Sequence, residues 1–498
     1  MTTYTLRQGN PAKNRADVVV VGVARGQSDA LEICTGGEPV AEAYGRRFAT
    51  QLRSMGFTGN ADEVLRVPTA GTIKAAQLVV VGLGEREELT SAKVRRAAGV
   101  AARNLGNAAS VAVALPAADA EHVRAVADGM ISGLYRFTGY KSEPSESVIA
   151  EVAILSDAAR HADPSAALET ARVVGELADL ARDWVNTPPN ELTPPLFAAA
   201  VLELTDKRKR SGVHAELYDV EKLTELGCGG ILGVGQGSAA PPRMVKLTWA
   251  PQSPQAHVAL VGKGITYDSG GYSIKSGASM ALMKTDMAGA AAVVAAIHAV
   301  AALKIPVAVT AYAPMAENMV SGAAYRPGDV LRMYDGQTVE VRNTDAEGRM
   351  ILADALAMAA EDEPDVIVDI ATLTGPCVVA LGEKIAGLFG DDATVAAVGR
   401  AAAATGELVW RLPVPEETSE RVRTESPIAD VLQSNWARFG GASWAAAFLQ
   451  EFTGGRPWAH LDIAGPAYNS GSAWGHTPAG ATGFGIATLV QYVASLAD

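Results

Sequence analysis

The sequence predicts an α/β protein of two domains, a smaller amino-terminal α/β domain and a larger carboxy-terminal α/β domain with a mixed, mostly parallel sheet. Three observations lead there. A chain of 498 residues exceeds what one ordinary hydrophobic core serves. Short, continuous apolar runs alternate with Ala-rich amphipathic runs along both halves, the pattern of buried parallel strands covered by helices. A shift to Ser, Glu, Pro and Asp over residues 142–165 interrupts that alternation.

In the first half, residues 17–22, 77–82 and 110–115 read as strands, because each is a Val-rich or Ala/Val run bounded by polar or Gly residues. A further strand-like run, 148–155, lies within the polar shift. The sequence His161-Ala-Asp-Pro-Ser165 then breaks the pattern, which places the domains at 1–165 and 166–498. A helical run over 166–184 follows. Residues 186–195 carry four prolines and must form an extended turn before a helix that starts near Leu196. Beyond it, 257–261, 307–312 and 365–370 read as buried strands, and 288–302 and 350–360 as Ala-rich helices.

Composition narrows the functional classes. Hydrophobic residues make up 48% and charged residues 19%, which excludes a disordered chain. No run of roughly 18 to 20 uninterrupted apolar residues suggests a membrane span. The first residues, Met-Thr-Thr-Tyr-Thr-Leu-Arg, lack a basic segment followed by an apolar one, so the expectation is a cytoplasmic protein. Cys34, Cys228 and Cys377 are three and far apart, which argues against a disulfide framework and a thiolate metal site. A formal charge of -13 makes nucleic-acid binding through phosphate contacts an unfavoured expectation. The densest basic run, Lys207-Arg-Lys-Arg210, reads as a solvated helix end.

Chemistry concentrates in two clusters, each at the end of a predicted strand, where loops of an open α/β sheet converge on ligands. One is Lys263, Asp268, Lys275 and Asp286; the other is Asn343-Thr-Asp345-Ala-Glu347-Gly-Arg349, just after the strand-like residues 338–341. Asp268, Asp286, Asp345 and Glu347 are hard oxygen donors that could bridge two divalent cations about 3.5 to 4 Å apart. Such donors favour Mn²⁺ or Mg²⁺, and Zn²⁺ and Co²⁺ accept them too. Singly, each acid reads as a cap or surface charge, with Asp286 suited to cap the helix after it. The seven histidines form no His-Glu-x-x-His pattern and none lies in either cluster; His298 and His460 read as structural. Lys263 between two glycines at a strand end is unusual, and adjacent cations would depress its pKa enough for it to donate a lone pair.

The heptapeptide at 343–349, with Val-Gly-Lys-Gly at 261–264 and Asp-Ser-Gly-Gly at 268–271, resembles the two-metal leucyl aminopeptidases of the M17 type. The resemblance extends over roughly 180–495 and includes Thr-Leu-Thr-Gly at 372–375 and Trp-Ala-His-Leu-Asp-Ile-Ala-Gly at 458–465. It implies that Lys263, Asp268, Asp286 and Glu347 hold one metal and Asp268, Asp345 and Glu347 an exchangeable one, with Mn²⁺ the first expectation. It implies catalytic roles for Lys275 and for Arg349, the latter fixing a bicarbonate ion as general base. Met283, Thr372 and Leu373 fall where the family accommodates the first side chain. Tyr267 stands where Phe is usual and Ala288 where Gly or Cys is common, neither at a ligand position. The resemblance further implies removal of leucine and other mainly apolar residues from peptides with a free amino terminus, and a homohexamer. Two other readings, a DNA-binding assembly protein and a two-metal phosphoesterase, share parts of this pattern.

Overall fold

The computed structural model describes residues 2–143, 149–435, 437 and 439–497. It divides into two compact units, Met1–Glu176 with Ser470–Ala479, and Leu177–Asn469 with Gly480–Asp498. The division expected at residue 165 falls inside the helix Ala162–Asn186, so the break read at 161–165 is a helix start. Pro164 sits in its first turn, where a missing N–H leaves no helical hydrogen bond unmade.

Among the described residues the first unit holds a seven-stranded sheet, ordered Thr3–Arg7, Glu151–Leu155, Ser110–Ala114, Val18–Arg25, Gln77–Glu85, Val64–Pro68, with Leu31–Ile33 beside Val18–Arg25. The pairings from Thr3–Arg7 through to Gln77–Glu85 are parallel and the outer two antiparallel. The central run of valines serves two cores. Val18 and Val20 enter one, and Val19, Val21 and Val23 enter another on the opposite face, as period-two alternation requires. Helices Ser91–Ala102 and Ala120–Leu134 supply Val94, Val123 and Met130 to the first, while Glu38–Tyr44 and Phe48–Ser54 supply Val40, Phe48 and Leu52 to the second. Val148, the first residue of the expected run 148–155, lies outside the described residues.

The second unit is built on a nine-stranded sheet ordered, among the described residues, Val409–Arg411, Ala386–Gly390, Trp458–Asp462, Val366–Ala371, His257–Gly262, Ala308–Asn318, Arg243–Trp249, His214–Tyr218, with Gly264–Asp268 also on Ala308–Asn318. Its middle strands are parallel and its flanks mix both senses. The expected strands and helices are present with shifted ends, and the helix read at 350–360 is Glu347–Glu361. The strand at 338–341 is Thr338–Glu340, which belongs to a separate small sheet with Val330–Arg332 and Val431–Leu432. The two charged clusters therefore issue from different sheets. The segment Gly277–Ala302 is long and apolar enough to cross a membrane, yet its apolar window is 94% buried. It ends in the core helix Ala288–Ala302, whose Ala-rich surface fits between the main sheet and Ile486–Ala494.

One buried carboxyl ties this unit together. Asp354, fully buried in Glu347–Glu361, accepts from Ile231 N–H at 2.8 Å and Tyr334 N–H at 2.9 Å. The contact with Ile231 is close because Gly230 packs bare against the helix, where an added Cβ would lie 2.2 Å from Met350 O. Burial pushes the Asp354 carboxyl up to about 7, against the pull of these N–H donors. Asp354→Ala should cost about 3 kcal/mol by stranding buried N–H groups. Because the folded value lies above the ordinary 3.8, the contribution is complete at low pH and falls as pH rises through about 7. Urea denaturation should thus show a larger deficit at pH 5 than at pH 8, and the reverse order would refute this account.

Candidate metal centre

The site begins where His257–Gly262 ends. Gly262 pairs with Ile370 on Val366–Ala371, and Lys263 N–H donates to Ile370 O at 3.1 Å, which brings Lys263 to the carboxyl ends of the parallel strands. The chain resumes as Gly264–Asp268 alongside the far half of Ala308–Asn318, with Asp268 opposite Asn318. Asn318 Nδ2 donates to Asp268 Oδ1 at 2.8 Å and to Thr344 O at 2.9 Å, joining the first cluster to the second. Gly270, at φ 85°, then turns the loop back so sharply that a Cβ there would meet Ser273 O at 2.6 Å and Asp345 Oδ1 at 2.9 Å. That reversal returns Lys275 to Asp268, Nζ to Oδ2 at 2.9 Å, and to Asp345, Nζ to Oδ1 at 2.5 Å.

Asp286 follows the turn Met283–Thr285 and does not cap the next helix, whose cap residue is Met287. Its carboxylate instead accepts from Thr372 Oγ1 at 2.8 Å and faces Lys263 Nζ at 2.7 Å. Glu347 opens Glu347–Glu361, and its Oε1 lies 2.9 Å from the same Nζ. Lys263 crosses the start of this helix only because residue 348 is glycine; a Cβ there would lie 2.4 Å from Lys263 Cε. Thr372 O accepts the third contact from Lys263 Nζ, at 2.9 Å.

Asp268, Asp286 and Glu347 are all buried, and each offers an oxygen within 4.8 Å of those of the other two. Asp345 stands outside that trio, half-buried and joined to it through Lys275. Glu347 Oε2 is buried with no hydrogen-bond partner, and Asp286 Oδ2 and Asp345 Oδ1 meet lysine ammoniums without hydrogen-bond geometry. Buried acceptors left so are costly unless a cation engages them. Hard, anionic, partly unsatisfied oxygens at this spacing fit divalent cations.

Burial, then the charge of Glu347, pushes Asp268 up to about 7 against the pull of both lysines. Burial likewise raises Asp286 and Asp345. Glu347 differs: burial would raise it, but Lys263 and Lys275 hold it below its ordinary value. Burial would lower the two lysines, and the surrounding carboxylates more than offset it, leaving both raised. The depression of Lys263 expected from the sequence therefore depends on cations, since the carboxylates alone act the other way.

Arg349, one helical residue beyond Gly348, is buried, and burial lowers its guanidinium to about 10. Nη1 donates to Gln433 O at 2.8 Å, while Nε has no partner. Among the described residues no carboxylate lies at ion-pair distance from it. Arg349, Asp345 and Leu373 border a cavity of about 900 Å³. Leu373 is held there by its N–H on Asp462 Oδ1 at 3.2 Å. Of the three residues expected to receive a side chain, only Leu373 lines this cavity; Thr372 is engaged with Lys263 and Asp286, and Met283 is half-buried in its turn.

Several supporting residues gave no signal in sequence. Asn318 ends a strand, and Gln433 lies far along the chain, yet Gln433 Oε1 accepts from the N–H groups of Arg342 and Asn343, both at 3.0 Å, and its Nε2 donates to Ala346 O at 3.1 Å. His460 is structural in the sense expected: it is buried, with Nδ1 on Asp369 Oδ1 at 2.5 Å, and Trp458 Nε1 donates to Asp369 Oδ2 at 2.7 Å.

Residues 179–490 match the catalytic domain of the cytosol aminopeptidase family, and residues 20–144 match that family's N-terminal domain. A protein of Streptomyces coelicolor named "Probable cytosol aminopeptidase" is 46% identical over 519 residues, covering 100% of this chain and 99% of its own. One of the same name from Micrococcus luteus is 45% identical, covering 96% of each. A solved structure, the bottromycin maturation enzyme BotP in complex with Mn, superposes with a TM-score of 0.85 at 39% identity, over 97% of this chain and 100% of that one. With both domains matched in order and relatives similar along their whole length, the chain belongs to the cytosol aminopeptidase family.

Proposed function

We propose that the protein is a two-metal aminopeptidase that releases leucine and other mainly apolar residues from peptides with a free amino terminus. The observation that carries this reading is the buried trio Asp268, Asp286 and Glu347 with its unsatisfied Glu347 Oε2, flanked by Lys275 and Arg349. Asp268 and Glu347 would be shared between two cations, with Lys263 and Asp286 completing one site and Asp345 the other. Mn²⁺ is the favoured ion, on the hard donors here and the metal in the BotP structure. When bound, two divalent cations supply an anchor for the free amine, polarisation of the scissile carbonyl, and a water of lowered pKa.

The chain's own groups do the rest. Lys275 keeps a protonated amine beside Asp268 and Asp345, with 17% of its side chain exposed, so it can donate to the substrate carbonyl as negative charge develops there. Arg349 offers an unpartnered, desolvated Nε that suits a small anion; it would hold a bicarbonate there, which would supply a general base beside a cluster whose own carboxylates are engaged by lysines or taken as ligands. Leu373 gives the first side chain an apolar wall, with Met283 and Thr372 beside the acids. A cytoplasmic homohexamer belongs to the same reading: the relatives' names point to the cytosol, and the resemblance to the two-metal leucyl aminopeptidases implies the hexamer.

The test is hydrolysis of leucine p-nitroanilide by metal-stripped protein, before and after addition of Mn²⁺, with an amino-blocked substrate as control. Mn²⁺ should restore turnover at least about a hundredfold on the free amine alone, the scale of losing a metal-generated nucleophile. Equal cleavage of the blocked substrate, or indifference to metal, would overturn the reading.

A further inference from the structure

The cavity that Asp345 and Arg349 border reaches a second arginine, Arg342. Gln433 Oε1 pins its main-chain N–H at 3.0 Å, which sets the residue in the wall. The side chain is 23% exposed and, among the described residues, makes one ionic contact, Nε to Glu340 Oε1 at 3.3 Å. Glu340 is itself engaged through its other oxygen, which accepts from Ser426 Oγ at 2.7 Å. The guanidinium is thus held by its Nε edge, and its two Nη groups, which carry four of the five donors, are left without a partner among the described residues. Elsewhere on the wall Asp345 is matched by Lys275 at 2.5 Å, and Ser273 and Asn343 are neutral, so the cavity faces its contents with surplus positive charge.

We infer that Arg342 makes the enzyme prefer peptides with a carboxylate just beyond the scissile bond, on the side chain of the second residue or as the free terminus of a dipeptide. The inference rests on the aminopeptidase reading above. A peptide whose first residue is held at the acids leads its second residue into this cavity, the large space that Asp345 and Leu373 share with Arg342. A planar guanidinium with free Nη groups pairs with a carboxylate in a two-point contact that a neutral amide of the same shape cannot match.

The experiment compares kcat/KM for leucyl-glutamyl-amide with leucyl-glutaminyl-amide, and for leucyl-glycine with leucyl-glycinamide, using the Mn²⁺-loaded full chain. The first pair isolates a side-chain carboxylate and the second a terminal one. At least one pair should favour the acid by about fivefold, the size of a partly solvated ion pair, and less at high salt. Arg342→Gln should bring that ratio to about 1, while Arg342→Lys keeps its direction. Ratios near 1 in the parent, or a preference untouched by Arg342→Gln in protein that melts as the parent does, would overturn the inference and leave the aminopeptidase reading standing. Cleavage of none of the four peptides would remove that reading and the inference with it. If Arg342→Gln fails to fold, a parent preference insensitive to salt is the refuting result.

Discussion

Glu347→Gln is expected to lower Mn²⁺-dependent turnover by on the order of a thousandfold or more, as loss of one member of a cooperating catalytic set does. The substitution keeps the volume of the side chain and removes its charge. Glu347 is the acid at which the arrangement converges: Oε1 meets Lys263, Oε2 is the buried oxygen without a partner, and its charge raises Asp268 and Asp286. Without that charge the two aspartates become easier to ionise, but the amide keeps only one neutral, weaker donor oxygen, so Asp268 alone is left as an anionic bridge between the Asp286 side of the cluster and the Asp345 side. Folding should change little, since Lys263 keeps Asp286 and Thr372 O. The checks are steady-state turnover at saturating Mn²⁺ and calorimetric titration of Mn²⁺ into stripped protein. Turnover within tenfold of the parent would sink the shared-ligand assignment.

Lys263→Met is expected to destabilise the metal-free protein by about 3 kcal/mol, the range seen when one partner of a buried ion pair is removed. Lys263 is 2% exposed and its Nζ touches Asp286, Glu347 and Thr372 O, so methionine would leave two buried carboxylates facing an apolar chain. A second substitution separates charge from packing. Adding Asp286→Asn removes one of the stranded charges, so the double variant should recover part of the loss, although each single change is harmful. Chemical denaturation in chelator measures all three proteins. A double variant less stable than the sum of the single losses would show that shape, not charge, governs this contact.

Much of the architecture was legible because its causes are local. Four consecutive valines bury both faces of a strand wherever they are placed, and the same holds for 257–261 and for the Ala-rich 288–302. The chemical set was legible for a similar reason: Asp345, Glu347 and Arg349 lie within five residues, and Gly270 and Gly348 beside the acids are dictated by close approach. The division between units was less legible. Proline at 164 marks a helix start as well as a break, and the return of 470–479 to the first unit depends on contacts that composition does not encode.

By itself, then, the sequence determined the layered α/β class, most of the strands and core helices, and which acids and cations are available for chemistry. Only the tertiary structure decided how they are shared. It set Asp345 apart from the trio, drew Asp286 away from helix capping toward Lys263 and Thr372, and used Asn318 and Gln433 to bind the loops. It also put Arg342 and Arg349 on one cavity wall. The physical reason is one of range. Backbone preference and hydrophobic periodicity act between near neighbours in the chain, whereas a charge or hydrogen-bond donor acts on whatever the fold brings within a few ångströms, and that partner is chosen only when the sheets have closed.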